Sequence, residues 1–283
     1  MIKILDITPF NLEFICDGGQ AFRWNRQENT SYQGVVGNHV LVVSQDQQGL
    51  EIESCPLAQD SFIRNYFDLD TDYSLIEQKL CAFEELIPAV KFCSGNRILR
   101  QDPWETTISF IISANNSITN IKRVIERICE RYGRPIQYKD KVFYSFPDPE
   151  NLAKVSEKEI CETRCGYRAA YIIKSARMIC DGEVDLYGLS KLPTAEARQQ
   201  LMKLPGVGRK VADCILLYSL RKTDAFPIDV WIKRVLQHIY FNDQEIPVLK
   251  LQKFAEKRFG DLAGFAQQYL FHYTRTFWPQ GKI

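Results

Sequence analysis

Residues 201–214 have the sequence Leu-Met-Lys-Leu-Pro-Gly-Val-Gly-Arg-Lys-Val-Ala-Asp-Cys, which predicts the end of one helix, a turn and the start of another. The first helix is expected over residues 194–204, with Thr194 as its cap. Residues 205–208 interrupt it, since Pro and Gly end helices. The second helix is expected over about 209–220. This stretch therefore predicts a hairpin of two helices.

The start of the second helix offers backbone groups that could bind a phosphate and a lysine that could act as a nucleophile. Backbone N–H groups at the start of a helix lack intrahelical acceptors and can bind a DNA backbone. The candidates for that contact are Gly206, Val207, Gly208 and Arg209. Lys210 lies in the first turn, where the helix dipole disfavours an ammonium group, and an uncharged lysine is nucleophilic. Asp229 precedes a helix predicted over residues 230–240 and would cap it; together with Lys210 at this spacing, it favours catalysis.

Composition bounds the remaining possibilities. The 283 residues are 45% hydrophobic and carry a net charge of +1, so a positive field for nucleic acid must be local. Basic residues do cluster around the hairpin: Lys203, Arg209, Lys210, Arg221, Lys222, Lys233 and Arg234. No apolar run reaches the roughly 20 residues of a membrane span, and the first residues do not resemble a signal peptide. Nine scattered cysteines predict reduced thiols in an intracellular protein.

The secondary-structure signals change along the chain. Short β-branched runs at 33–36, 40–43 and 50–52 predict an antiparallel meander, with a helix over 70–86 packed on it. From Arg97 onward the signals are helical. The predicted fold is therefore α+β. An N-terminal antiparallel β-sheet domain with helices covers residues 1–95, and an all-helical domain covers 96–283 with the hairpin at 194–220.

Three further segments strengthen the signal of the hairpin. They are Gly18-Gly19-Gln20-Ala21-Phe22-Arg23-Trp24, Arg100-Gln101-Asp102-Pro103 and Ser113-Ala114-Asn115-Asn116-Ser117-Ile118. In this order, the four segments resemble the 8-oxoguanine DNA glycosylase/AP lyases of the helix-hairpin-helix, Gly/Pro-Asp superfamily. The resemblance implies that the β-rich domain has a sheet like that of TATA-binding protein. It also implies excision of 8-oxoguanine from duplex DNA by base flipping, attack of Lys210 at the sugar C1′, Schiff-base formation and β-elimination, with Asp229 as the second catalytic residue.

The resemblance also assigns residues to recognition. Lesion-base contacts are implied for Gly19, Cys214, Gln267 and Phe271, and gap-filling or opposite-base contacts for Asn115, Tyr167 and Arg168. Without the resemblance, simpler interpretations compete: Gly19 as part of a turn, Asn115 as a turn or helix cap, Tyr167 as a half-buried aromatic residue and Cys214 as a core thiol. Asp213 is expected to be a structural helix residue.

The resemblance sets expectations for cofactors and partners. Superfamily members with an iron–sulfur cluster hold it with four cysteines beyond the hairpin, and no cysteine follows Cys214 here. No cluster, other cofactor or metal is therefore expected. The expected partner is double-stranded DNA containing 8-oxoguanine. The protein is expected to be a monomer without membrane contact, located inside the cell with chromosomal DNA, in the nucleoid or the nucleus.

Two positions depart from the animal members of this family. Asn120 replaces an arginine that checks for cytosine opposite the lesion, which predicts weaker discrimination of the opposite base. Trp231 replaces a histidine near a phosphate. Two other functions use the same signals: an oxidised-pyrimidine glycosylase/lyase on the same scaffold, and a non-catalytic protein that binds damaged DNA.

Overall fold

The computed structural model describes residues 2–278, and one five-stranded antiparallel sheet dominates its N-terminal part. The strands are β1 (Ile2–Leu5), β2 (Trp24–Arg26), β3 (Tyr32–Val36), β4 (His39–Gln45) and β5 (Gly49–Cys55), in the order β1-β5-β4-β3-β2. The predicted meander is β3-β4-β5. The edge strands β1 and β2 were not predicted, because three or four residues are too few to show an alternating pattern.

Fourteen α-helices lie within residues 2–278. They are α1 (Leu12–Asp17), α2 (Asp60–Tyr66), α3 (Tyr73–Leu80), α4 (Ile87–Phe92), α5 (Pro103–Ser113), α6 (Ile118–Tyr132), α7 (Pro149–Ala153), α8 (Glu157–Cys161), α9 (Arg168–Cys180), α10 (Thr194–Leu201), α11 (Arg209–Tyr218), α12 (Val230–Phe241), α13 (Val248–Phe259) and α14 (Ala263–Phe277). None of them is long and apolar enough to cross a bilayer.

The sheet buries one face against α1 and α2. Leu41 and Ile52 on neighbouring strands are fully buried there, beside Ile15 of α1 and Ile63 of α2. The opposite face is partly covered by a hairpin of β6 (Pro135–Tyr138) and β7 (Lys141–Tyr144). These two strands follow α6, so the helical part of the chain differs from the all-helical expectation in this detail. Each strand has only four residues, which is too short to show a clear strand pattern.

The helix expected over residues 70–86 is broken in the structure. It begins only at Tyr73, because the Asp72 carboxylate caps α3 by accepting from the Leu75 N–H at 3.1 Å. A turn follows Leu80, and a short 3-10 helix leads into α4. Helices α3 and α4 contribute to the larger core of the helical part. The division of the chain at residue 95 stays a prediction, and its expected end at residue 283 lies outside the described residues.

The helical hairpin is formed by α10 and α11. Its first helix ends at Leu201 and its second at Tyr218, slightly earlier than predicted. The prediction that Thr194 caps α10 is wrong: Pro193 occupies the cap position, and the Thr194 hydroxyl donates to Asp224 at 2.6 Å. Gly206 has φ +78°, and a Cβ there would lie 2.6 Å from the ring of Tyr171. The turn therefore requires glycine at this position.

Candidate active site

Two connected cavities lie where α5, α11, α12 and α14 meet the loop after α1. The outer cleft has a volume of about 590 Å³ and is open to solvent. The inner pocket has a volume of about 40 Å³. Five residues line both: Gly19, Phe110, Lys210, Asp229 and Phe271. The predicted catalytic pair thus lies at the junction of the cavities.

Lys210 reaches this junction from the first turn of α11. Its Nζ is 5.2 Å from the centroid of the Phe110 ring on α5, a cation–π contact. Cys214 follows one turn later and is 3% exposed. Burial raises the pKa of the Cys214 thiol to about 11, although nearby Lys210 acts in the opposite direction. Cys214 is therefore a neutral thiol at pH 7, which suits a wall of the pocket.

Asp229 is fixed at the N-terminus of α12. One of its carboxylate oxygens accepts from the Ile232 N–H at 2.8 Å, which confirms the predicted helix cap. A carboxylate has a second oxygen, and Asp229 lines both cavities. The cap holds the carboxylate at the cavities that Lys210 also lines, without occupying all of its acceptor capacity.

The inner pocket brings the four predicted lesion-base residues together. Gly19 approaches from the N-terminal part, Cys214 from α11, and Gln267 and Phe271 from α14. Gly19 has φ +74°, and a Cβ there would lie 3.1 Å from the Phe271 ring. Gln267 is 3% exposed, and its amide oxygen accepts from the Tyr218 hydroxyl at 3.4 Å. Residues separated by up to 252 positions in the chain therefore share one small pocket.

A buried glutamine holds the Gly19 loop in place. The Gln20 amide nitrogen donates to the carbonyls of Ile15 at 3.1 Å and Arg97 at 2.8 Å. Its amide oxygen accepts from the Leu99 N–H at 2.8 Å. Because Gln20 is fully buried, these three bonds fix the backbone next to Gly19.

Asn115, Tyr167 and Arg168 meet at the rim of the cleft. Asn115 has φ +50° and lines the cleft. The Ala114 carbonyl accepts from the Arg168 guanidinium and from the Tyr167 hydroxyl. Arg168 is only 8% exposed and donates also to the Asn115 and Cys165 carbonyls, whereas Tyr167 is 60% exposed. In this structure Arg168 supports the Asn115 turn, while Tyr167 projects outward.

The Asn120 side chain is also held by a hydrogen bond to a neighbouring residue. Its side-chain amide donates to the Asn116 amide oxygen at 2.8 Å. Trp231 lines the outer cleft, where its indole offers a single neutral donor. The expectation of weaker opposite-base discrimination stays a prediction.

The turn of the hairpin lies directly before α11, which carries Lys210. Gly206 and Gly208 are exposed, Val207 is buried, and the Arg209 guanidinium donates to Glu256 at 3.2 Å. Exposed backbone at the start of α11 is compatible with phosphate binding. Asp213, one turn beyond Lys210 on α11, is fully buried and accepts from Arg198 at 2.5 Å.

Three residues that the sequence did not predict also line the two cavities: Phe110, Tyr218 and Arg275. Phe110 and Tyr218 belong to apolar helical runs that carry no signal beyond burial. Arg275 lies one helical turn after Phe271, a spacing that could have placed it on the same face. Within residues 2–278, no group of three or more His, Cys, Asp or Glu side chains is arranged to hold a metal ion.

A helical hairpin that presents a lysine and a helix-capping aspartate to one cleft defines the class of helix-hairpin-helix base-excision glycosylases. Residues 3–107 match the family model of the 8-oxoguanine DNA glycosylase N-terminal domain. Residues 108–260 match the model of the HhH-GPD superfamily base excision DNA repair proteins. The chain therefore belongs to the 8-oxoguanine DNA glycosylase family within the HhH-GPD superfamily.

Individual relatives agree with this assignment. The structure of MBOgg1 in complex with a low affinity DNA ligand is 44% identical, with a TM-score of 0.92 over 98% of this chain and 99% of that one. The Clostridium acetobutylicum 8-oxoguanine glycosylase/lyase, solved with double-stranded DNA containing cytosine opposite 8-oxoG, is 40% identical, with a TM-score of 0.91 over 94% and 92%. The N-glycosylase/DNA lyase of Saccharomyces cerevisiae is 31% identical over 91% of this chain and 81% of its own length.

Proposed function

We propose that the chain is a bifunctional DNA glycosylase and AP lyase that excises 8-oxoguanine from duplex DNA. The observation that carries this proposal is the position of Lys210 and Asp229 at the junction of the two cavities. A nucleotide turned out of the duplex would place its base in the inner pocket, its sugar at the junction and its phosphates in the outer cleft. Acting on chromosomal DNA, the protein would reside inside the cell, in the nucleoid or the nucleus.

The proposed reaction starts with Lys210. After Nζ loses a proton, it attacks C1′ of the everted nucleotide, the C1′–N9 bond breaks, and the base leaves with the electron pair and takes up a proton. Opening of the sugar ring gives a Schiff base between Nζ and C1′. Loss of a C2′ proton then expels the 3′ phosphate by β-elimination. Asp229 would stabilise the positive charge that develops on the sugar. No step calls for a metal or an organic cofactor, and we propose that the reaction uses none.

Selectivity for the oxidised base would come from the inner pocket. The Gly19 carbonyl would accept from N7–H of 8-oxoguanine, whereas guanine would present a second acceptor at a cost of about 1–3 kcal/mol. Cys214 and Phe271 would sandwich the base, and Gln267 would contact its Watson–Crick edge.

The rim residues would hold the distorted duplex. Asn115 would fill the gap left by the everted nucleotide, and Tyr167 would wedge beside the unpaired base. Arg168 would contact a cytosine opposite the lesion only after releasing backbone carbonyls that it now binds. The turn residues Gly206, Val207, Gly208 and Arg209 would bind the DNA backbone.

Borohydride trapping on a duplex with 8-oxoguanine opposite cytosine tests the proposal. Wild type should form a covalent complex and Lys210→Gln should form none. Lys203→Gln is the matched control, because Lys203 is an exposed lysine of the same hairpin, and it should trap like wild type. Binding without trapping by wild type would favour a non-catalytic damage-binding protein. Equal trapping by Lys210→Gln would assign the attack to another amine, and preferential excision of oxidised pyrimidines would overturn the lesion assignment.

A further inference from the structure

Arg275 is a cation of the outer cleft that the proposed chemistry does not use. It lies in the last turn of α14, one turn beyond Phe271, and its guanidinium carbon is 5.3 Å from the centroid of the Phe271 ring. A Cβ built on Gly19 would lie 3.2 Å from one of its terminal nitrogens. The guanidinium is therefore packed between the Phe271 ring and the Gly19 backbone at the mouth of the inner pocket.

The Arg275 guanidinium makes no hydrogen bond or ion pair with any residue in the range 2–278. The two acids that act on it from a distance already accept other bonds. Asp229 accepts from the Ile232 N–H, and Asp17 accepts from the Tyr32 hydroxyl at 2.6 Å. Burial lowers the pKa of Arg275, with Asp229 and Asp17 acting in the opposite direction. An arginine remains charged at physiological pH even so.

Other shielded arginines in this protein do have partners. Arg97 donates to backbone carbonyls, Arg100 pairs with Asp68, and Arg198 pairs with Asp213. Partial burial of a guanidinium with five unpaired N–H donors costs free energy unless a ligand provides hydrogen-bond acceptors. Since no described residue provides an acceptor to Arg275, its position in the cleft points to a bound anion.

The position of Arg275 selects the kind of anion. It lines the outer cleft but not the inner pocket, so it lies outside the volume proposed for the base. Among the described residues that line the cleft, the lysine and arginine side chains are those of Lys210 and Arg275, and Lys210 is assigned to C1′. Phosphates of the everted nucleotide are the anions that would enter this cleft, and a guanidinium fork matches two phosphate oxygens.

We propose that Arg275 binds a phosphate of the strand that carries the everted nucleotide. The inference rests on the proposed function, because it takes the base to enter the inner pocket. The contact would hold the sugar at Lys210 and Asp229 while leaving base selectivity to Gly19 and Gln267. Arg275 would thus be a DNA-binding and positioning residue.

The test measures binding to a duplex with a tetrahydrofuran abasic-site analogue across a series of KCl concentrations. This probe has no base, so a contact to the lesion cannot contribute. Arg275→Met should weaken binding about ten- to hundredfold and lower the slope of log K against log salt by about 0.9. Arg275→Lys should keep the wild-type slope. Arg64→Met, at an arginine on α2 paired with Asp70, is the matched control and should change neither quantity.

The slope keeps the test decisive if Arg275→Met folds less well, because an inactive fraction changes the apparent affinity but not its salt dependence. An unchanged slope for Arg275→Met would overturn the phosphate contact. So would a loss confined to duplexes containing 8-oxoguanine, because that result would place Arg275 on the base. The two proposals fail separately. Trapping by wild type with an unchanged Arg275→Met slope leaves the glycosylase proposal intact, and a changed slope without trapping leaves the phosphate contact intact.

Discussion

At the scale of single residues, Gly19 shows how backbone geometry and a neighbouring ring restrict one position. Its φ of +74° is strained for any side chain, and an added Cβ would also meet the Phe271 ring at 3.1 Å. Gly182 has the same φ of +74°, but no atom lies within 4 Å of its added Cβ. Comparing substitutions at these two glycines therefore distinguishes the effect of backbone strain from the effect of contact with the site.

Gly19→Ala should lose both stability and excision, whereas Gly182→Ala should lose stability alone. Left-handed backbone with a side chain costs about 1–2 kcal/mol, so both variants should melt at lower temperature. Gly19→Ala should also lower single-turnover excision of 8-oxoguanine about tenfold or more, because the added methyl group displaces Phe271 or the carbonyl that reads N7. Equal excision by the two variants would contradict the role of Gly19 in recognition.

At the scale of elements, Asp229 combines two roles at the start of α12. Its carboxylate caps the helix, and the same residue faces the junction of the two cavities. Asparagine caps helices about as well as aspartate, but it carries no negative charge. Substitution by asparagine can therefore separate the cap from the proposed catalytic role.

Asp229→Asn should keep the melting temperature of wild type and lower the excision rate by about 10²–10³-fold. Asp229→Ala should lose the same activity and about 1 kcal/mol of stability, a decrease of about 2–4 °C in Tm. Asp72→Ala is the control, since Asp72 caps α3 away from the cleft; it should lower Tm and leave excision unchanged. Full activity of Asp229→Asn would restrict Asp229 to a capping role.

At the scale of the whole molecule, His272 lies where the N-terminal part meets α14. Its ring packs against Phe14 of α1 at 4.7 Å and against Phe92 of α4 at 6.3 Å between centroids. Burial, and then the charge of Arg275, lower the pKa of His272 from 6.5 to about 4. The folded protein therefore favours the neutral imidazole at this junction.

Because the folded pKa lies below the unfolded one, the stabilisation by neutral His272 is complete above pH 6.5 and is lost as the pH falls from 6.5 towards 4. His272→Phe keeps an aromatic ring there but cannot titrate. Between pH 6.5 and 4, its free energy of unfolding should therefore decrease by about 1–3 kcal/mol less than that of wild type. Denaturant unfolding at several pH values measures it, with His39→Phe in the sheet as control. An identical pH dependence for wild type and His272→Phe would contradict this assignment.

Local chemistry along the sequence determined the elements that carry the site. The Pro-Gly-Val-Gly turn predicted the hairpin, and Asp229 was a predicted cap because capping involves only the next three residues. The three β-branched runs predicted the centre of the sheet, because strand propensity is also a property of neighbouring residues in the chain. Two predictions were wrong. Thr194 does not cap α10, because its hydroxyl donates to Asp224 instead. The helix expected over residues 70–86 begins only at Tyr73, because Asp72 caps it there, and helical periodicity does not include such a cap.

Only the tertiary structure decided which distant residues share a cavity. Gly19, Lys210 and Phe271 come from three separate parts of the chain. The start of a helix singled out Lys210, whereas the resemblance to a family, not periodicity, named Gly19 and Phe271 in advance. Packing alone placed Phe110 under Lys210 and left the Arg275 guanidinium at the cleft without a hydrogen-bond partner among residues 2–278. Sequence patterns encode caps, turns and amphipathic faces, which are local, whereas burial and pairing of charges depend on how the faces meet.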